Sequence, residues 1–290
     1  MCCLMLCSPE IIAQAYPVFG GEKKVAINGL NFDPMEPFIS DDGNTLFFNS
    51  LNSGGNTNLY YAQRVNDTVF NFGGLVGGTY DASADHLDAV ASMDSAGRFF
   101  WVSLRGYPGN MANLHAGKFS NGSVSDIKRV YGDFNIYTIN YPLGWLIMDA
   151  GITYTGNLLL FCNALFDFSN TSCVGVPCQA RIGLAGKVND TTFNRLPDSD
   201  ALLANVNDTA FLTYAPQLSR DGRELYFTRL LKNTYNTEVC VAVRNSPAEV
   251  FSVPLVIHAK NGFVPEAATI TGNQQKLYYQ QKNASLRYEL

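Results

Sequence analysis

Histidine is scarce in this sequence, with three among 290 residues. His86, His115 and His258 stand at unrelated spacings and form no His-Glu-x-x-His pair, which excludes a zinc hydrolase of that type. Charge is thin as well: Asp, Glu, Lys and Arg make up 16% of the chain and leave a net charge of -5. No basic run exceeds Lys23-Lys24 or Lys128-Arg129, so the electrostatic footprint of a nucleic-acid binder is missing. Long apolar runs are lacking too. Trp145-Leu-Ile-Met148 stops at Asp149, far short of the roughly 20 residues a membrane-spanning helix needs, so no membrane span is expected. There is no Gly-x-Ser-x-Gly elbow, and the glycine-rich stretch Gly73 to Gly78 lacks both a Lys-Ser/Thr pair and a following helix, so it reads as a loop.

The chain does have 47% hydrophobic and 12% aromatic residues, enough for a large core. Residues 1–15 resemble a signal peptide, with a short apolar run around Leu4-Met5-Leu6, a break at Pro9 and a small-x-small site at Ala13-Gln14-Ala15. Cleavage after Ala15 would leave 16–290 as a single domain, monomeric and periplasmic or extracellular. Four cysteines fall outside the leader. Cys173 and Cys178 flank a turn-rich stretch with no His or second Cys pair at metal-ligand spacing, so zinc is disfavoured and a disulfide is expected in an oxidising compartment. Cys162 and Cys240 lie inside apolar runs and read as core residues. Asn-x-Ser/Thr sequons at Asn66, Asn121, Asn170, Asn189, Asn207 and Asn283 mark exposed turns.

The decisive signal is an internal repeat. Five segments share one order: a short strand beginning near an acid, a turn closed by Gly, an apolar-aromatic strand, a polar loop and a second strand. The turn glycines Gly43, Gly97, Gly156, Gly222 and Gly272 are separated by 54, 59, 66 and 50 residues. The aromatic strands are Leu46-Phe-Phe-Asn-Ser50, Phe99-Phe-Trp-Val-Ser103, Leu158-Leu-Leu-Phe-Cys162, Leu225-Tyr-Phe-Thr-Arg229 and Leu277-Tyr-Tyr-Gln280. Each interval accommodates four short antiparallel strands, because Asp-Gly turns and β-forming aromatics alternate. The fifth repeat lacks a fourth strand, and the unmatched Val18-Phe19 and Lys24 to Ile27 have the pattern to supply it. The expected fold is all-β: a five-bladed β-propeller of four-stranded antiparallel blades, its ring closed by the N-terminal strand joining the last blade.

Ser219-Arg-Asp-Gly222, echoed by Ser40-Asp-Asp-Gly43, resembles the Ser-Pro-Asp-Gly repeat of TolB-like, WD-related propellers, over about residues 35–290. The central Pro is missing in every blade. The resemblance implies a binding platform for a protein or a glycan, with no catalytic residue in the repeat itself.

In a propeller the first strand of each blade lines the channel, which brings Glu36, Asp88, Asp149 and Glu266 toward the axis, with Tyr214-Ala215 in the fourth blade. Converging carboxylates raise one another's pKa, as a general acid requires, or collect a divalent cation; no other metal or cofactor is expected. Some five-bladed propellers are glycoside hydrolases of the arabinanase and xylosidase type with three axial carboxylates. This chain resembles them in blade count and in those acids, and shows none of their local motifs. The acids can equally cap backbone N–H groups or pair with Arg105 or Arg229. Arg105, Trp145, Tyr214 and Arg229 are the candidate binding residues of the channel face, and Trp101 is expected to be buried. The leading reading is a non-catalytic binding propeller; the alternative is a glycoside hydrolase using the axial acids.

Overall fold

The computed structural model describes residues 15–51, 56–80, 86–107, 109–136, 139–140, 143–167, 169, 173, 176–234 and 236–290. The expected leader thus lies, but for Ala15, outside the described residues, as does Asn170. After β1 (Ala26–Asn28), five antiparallel sheets follow one another. Blade 1 comprises β2 (Met35–Ile39), β3 (Thr45–Asn49), β4 (Leu59–Asn66) and β5 (Val69–Leu75). Blade 2 comprises β6 (Asp88–Met93), β7 (Arg98–Ser103), β8 (Leu114–Ser120) and β9 (Ser123–Arg129). Blade 3 is β11 (Leu143–Ile152), β12 (Leu158–Asp167), β13 (Gln179–Asn189) and β14 (Thr192–Arg195), flanked by β10 (Ile139–Asn140). The short helix α1 (Ser199–Leu202) leads into blade 4: β15 (Phe211–Leu218), β16 (Glu224–Leu231), β17 (Thr237–Val243) and β18 (Leu255–Ala259). Blade 5 has three regular strands, β19 (Glu266–Ile270), β20 (Leu277–Lys282) and β21 (Tyr288–Glu289). The chain is an all-β five-bladed propeller.

The turns explain why the sequence punctuates there. In blade 1 the Ser40 hydroxyl donates to Asp42 at 2.6 Å, Asp42 accepts from the Asn44 N–H, and the Thr45 N–H returns to Ser40 Oγ at 2.9 Å. Blade 4 repeats this with Ser219, Asp221 and Glu224, and blade 5 with Thr271, Asn273 and Lys276. Gly43 and Gly222 take φ of 72° and 75°, which an L side chain adopts only with strain. In blade 5 that position is Gln274, at φ 59°, and not Gly272. Gly272 instead sits where a Cβ would collide with Asp41 of blade 1, so its glycine serves blade packing rather than the turn.

The core is divided among the blade interfaces. Phe47 and Phe99 pack between blades 1 and 2, Phe100 and Phe161 between 2 and 3, Leu184 and Phe227 between 3 and 4, Tyr226 and Ile270 between 4 and 5, and Phe48 and Tyr278 between 1 and 5. Trp101 is buried, as are Cys162 and Cys240.

The N-terminal segment does reach across the seam of the ring, in a different way from the expected fourth strand. Tyr16 and Phe19 join the core between blades 4 and 5, and the Val25 N–H donates to Leu290 O at 2.8 Å beside β21. The regular strand β1 then runs parallel to β5, pairing Ala26 with Val69 and Asn28 with Asn71. One segment thereby bridges the outer edges of the last and first blades.

Phe47 is fully buried against Phe99 and Phe119, with ring centroids 5.0 and 4.9 Å away. Phe47→Ala is expected to cost about 3–5 kcal/mol in chemical denaturation, while Leu286→Ala, at an exposed turn, changes stability by less than about 0.5 kcal/mol.

Candidate functional site: the axial channel

Each inner strand carries a β-bulge, near the start in blades 1, 2 and 5 and further along in blades 3 and 4, and residues at the bulges line the channel. In blade 1 Met35 pairs with Asn49 and Phe38 with Phe47, so two residues oppose one. Blades 2, 4 and 5 do the same, and the bulge residues Glu36, Val90, Ala215 and Ala267 all take φ between 50° and 56°. The bulge turns these four N–H groups away from their own ladder. Each is met by a side chain from the preceding blade in the ring: Gln280 for Glu36, Asn49 for Val90 at 3.4 Å, Asp149 for Ala215 at 3.2 Å and Thr228 for Ala267 at 2.9 Å.

This pattern assigns Asp149 a structural partner. Its carboxylate does in blade 3 what an amide or hydroxyl does in the other blades. Burial pushes its pKa up to about 7; the Ala215 N–H opposes that rise and the charge of Glu266 adds to it. Glu266 is also raised by burial, against the donors Tyr214 and Gln280, the latter at 3.0 Å. Burial and the same carboxylate hold the Tyr214 phenol well above its ordinary value. Glu36 lines the channel too, and its charge is felt at Tyr288 together with that of Glu266.

The repeat does not align the four acids. Glu36 and Asp149 stand four residues before Ser40 and Thr153, Glu266 five before Thr271, and Asp88 six before Asp94. The structure brings Glu36, Asp149 and Glu266 to the axis and leaves Asp88 apart. Asp88 is 1% exposed, accepts from Trp101 Nε1 at 3.2 Å and pairs with Arg105 at 2.9 Å. Beside it His115 stacks on Trp101, its pKa pushed down to about 4 by burial and by Arg129.

The other sequence candidates are mostly engaged. Arg105 also donates to Thr79 O, and Arg229 pairs with Glu238 at 2.5 Å while lying over the Phe211 ring. Trp145 lies within β11, half-buried, with its carbonyl accepting from Tyr107. Cys173 and Cys178 form a disulfide, with Cα atoms 5.3 Å apart. Among the described residues, no three His, Cys, Asp or Glu side chains are grouped as a metal would require. Sequence reasoning missed the capping residues, although Asn49, Thr228 and Gln280 each stand nine residues after Ser40, Ser219 and Thr271. A single polar residue closing an aromatic strand was the readable signal.

The channel is narrow. Ala91, Ala150, Gly151, Ala215, Ala267 and Ala268 line a cavity of about 40 Å³, room for about three waters. At the turn end of the inner strands the blades are tied to one another: the Ser95 N–H donates to Tyr154 O, the Gly272 N–H to Asp41 O, and Arg220 lies 3.9 Å over the Tyr154 ring while pairing with Asp41 at 3.1 Å.

No protein-family model matches the chain, and no curated protein matches its sequence. Solved structures do share its fold. An endo-arabinase from Bacteroides thetaiotaomicron superposes with a TM-score of 0.52 at 13% identity, over 93% of this chain and 95% of that one. Zg3597, a family 117 glycoside hydrolase from Zobellia galactanivorans, gives 0.51 at 11% identity, over 87% and 79%. A protein described as TolB from Agrobacterium tumefaciens gives 0.51 at 11% identity, over 90% and 79%. At such identities the likeness extends to the propeller fold alone.

Two outcomes are expected from the acids. Folding raises the Asp149 pKa from the ordinary 3.8 to about 7, so the folded chain holds a proton that the unfolded chain releases between those values. That stabilisation is complete below about pH 4 and lost as pH rises through 7. Tm measured from pH 4.5 to 8 therefore falls for the parent, and Asp149→Asn flattens the profile. Asp88→Ala leaves Arg105 without its carboxylate and is expected to cost roughly 3 kcal/mol, read by urea denaturation, independent of any ligand.

Proposed function

We propose that this chain is a secreted or periplasmic, TolB-like propeller that binds a protein or glycan partner on its channel face without turning it over. The observation that carries this reading is the state of the axial carboxylates. Asp149 and Glu266 are closed into hydrogen bonds with Ala215, Tyr214 and Gln280, beside a cavity too small for a sugar ring. A general acid has to reach its substrate oxygen within hydrogen-bond distance, and these groups reach protein atoms instead. The Ser-x-Asp-Gly turns and the shared fold support the TolB-like reading, and the Cys173–Cys178 disulfide suits an oxidising compartment. Trp145 is the sequence candidate with a large ring left for a partner.

A glycoside hydrolase is the second reading. Asp149, poised near pH 7 beside another carboxylate, has the protonation behaviour of a general acid, and two of the fold neighbours carry hydrolase names. The test is hydrolysis across a panel of arabino-, xylo- and galacto-oligosaccharides, with glycan-array and protein-ligand binding measured in parallel. The binding reading expects no release of reducing ends, and a retained ligand whose affinity falls at least tenfold with Trp145→Ala. Turnover by the parent that disappears in Asp149→Asn would overturn it in favour of the hydrolase.

A further inference from the structure

Between blades 3 and 4 the ladder leaves an edge that side chains take over. β14 pairs with β13 only from Ala185 onward, so Gln179 to Leu184 bond to β12 on one side and face the segment leading into blade 4 on the other. Asn207 of that segment occupies the edge as a strand would: its amide donates to Ile182 O at 2.8 Å and its carbonyl accepts from the Ile182 N–H at 3.0 Å. On the same side the Ser199 hydroxyl accepts from the Leu184 N–H at 2.9 Å. Backbone groups alternate in direction along an antiparallel strand, so Ala180 aims its N–H and C=O at this edge as well. Beside it lies a cavity of about 290 Å³, near the roughly 300 Å³ at which small-ligand pockets begin.

Gln179, Arg181, Asp208, Thr209, Phe211 and Lys232 line this cavity. Among the described residues neither Arg181 nor Lys232 is in a salt bridge, unlike Arg229, which is held by Glu238 while lying 4.4 Å over the Phe211 ring. Asp208 gives one oxygen to the Ala210 N–H at 2.8 Å. Two cations and one carboxylate leave the lining with a single net positive charge, in a chain whose net charge is -5. A monoanion balances that charge, whereas a doubly charged phosphate leaves one negative charge uncompensated beside Asp208. The remaining groups are an amide, a hydroxyl, a carboxylate and the Ala180 backbone, which together donate to and accept from ligand hydroxyls. One aromatic ring among so many polar groups makes no pocket for an aliphatic side chain.

We propose that this cavity binds a uronic acid, a sugar with one carboxylate and several hydroxyls. The Arg181 guanidinium, a planar two-pronged donor, and the Lys232 ammonium hold the carboxylate. Asp208, Thr209, Gln179 and the Ala180 backbone meet the ring hydroxyls. The site lies on the rim between two blades, apart from the axis, and stands whether or not the axial channel takes a partner.

The probes are glucuronate and galacturonate, each compared with its neutral counterpart, glucose or galactose, and titrated into the full chain by isothermal titration calorimetry. A dissociation constant on the order of 1 mM is expected for at least one uronate, with its neutral counterpart about tenfold weaker and the uronate affinity falling as salt is raised. Arg181→Gln and Lys232→Gln remove charge from an exposed and a half-buried side chain, and each should weaken the uronate about tenfold with Tm unchanged. Asp208→Asn keeps an acceptor for the Ala210 N–H and removes the opposing charge, so inorganic phosphate should bind this variant about tenfold more tightly than it binds the parent. No uronate binding up to about 20 mM would overturn the proposal. So would neutral sugars bound as tightly as the uronates, uronate affinity retained in both glutamine variants, or inorganic phosphate bound by the parent as tightly as the uronates, which would make this a plain anion site.

Discussion

A bulged backbone N–H, met by a side chain of the neighbouring blade, is the contact on which this ring depends. A sheet satisfies its own amides only along its ladder, and an inner strand that bends to line an axis breaks that ladder. The four freed donors would each be costly to bury alone. Gln280, Asn49, Asp149 and Thr228 accept them across the blade boundaries, so the polar accounting of one blade is closed by the next. A second set repeats this nearer the turns, where Thr269 accepts from Ile39, Ser92 from Ile152 and Gln217 from Ile270. Hydrophobic layers between blades supply the bulk of the cohesion, while these bonds set the angle and register at which the blades meet.

The chemistry of the axis follows from that constraint. Three of the four caps at the bulges are neutral. The fourth, Asp149, brings an acid into a place shaped for an amide or hydroxyl, and the neighbouring Glu266 makes a second negative charge there harder to hold. Tyr214 and Gln280 are the groups that let Glu266 stay. An acidic axis here is thus a product of blade packing first, and any further use of those acids has to work through groups already engaged.

The architecture was legible because it rests on local, repeated physics. Asp-Gly turns, aromatic strands and their spacing gave blade number and strand order, and the structure has both. The seam was harder. Val25 contributes one backbone bond to Leu290 and β1 turns to blade 1, a choice between two edges that no local pattern encodes. The same limit applies to Gly272 and Gln274: the dipeptide Thr-Gly suggested a turn glycine, while the positive φ falls on Gln274. The site was least legible. Assigning the four acids to one ring required a register accurate to one residue, and the bulges shift it, so Asp88 ends in a salt bridge with Arg105. The alternation of polar caps was present in Asn49, Thr228 and Gln280, but its meaning lies in partners a whole blade away.

Arg220 of blade 4 lies over the Tyr154 ring of blade 3 and pairs with Asp41 of blade 1, so one side chain joins three blades, two of which are not neighbours in the ring. Turning any of them against the others has to break or stretch a contact of that one residue, and the turn end of the propeller is braced across the ring as well as around it.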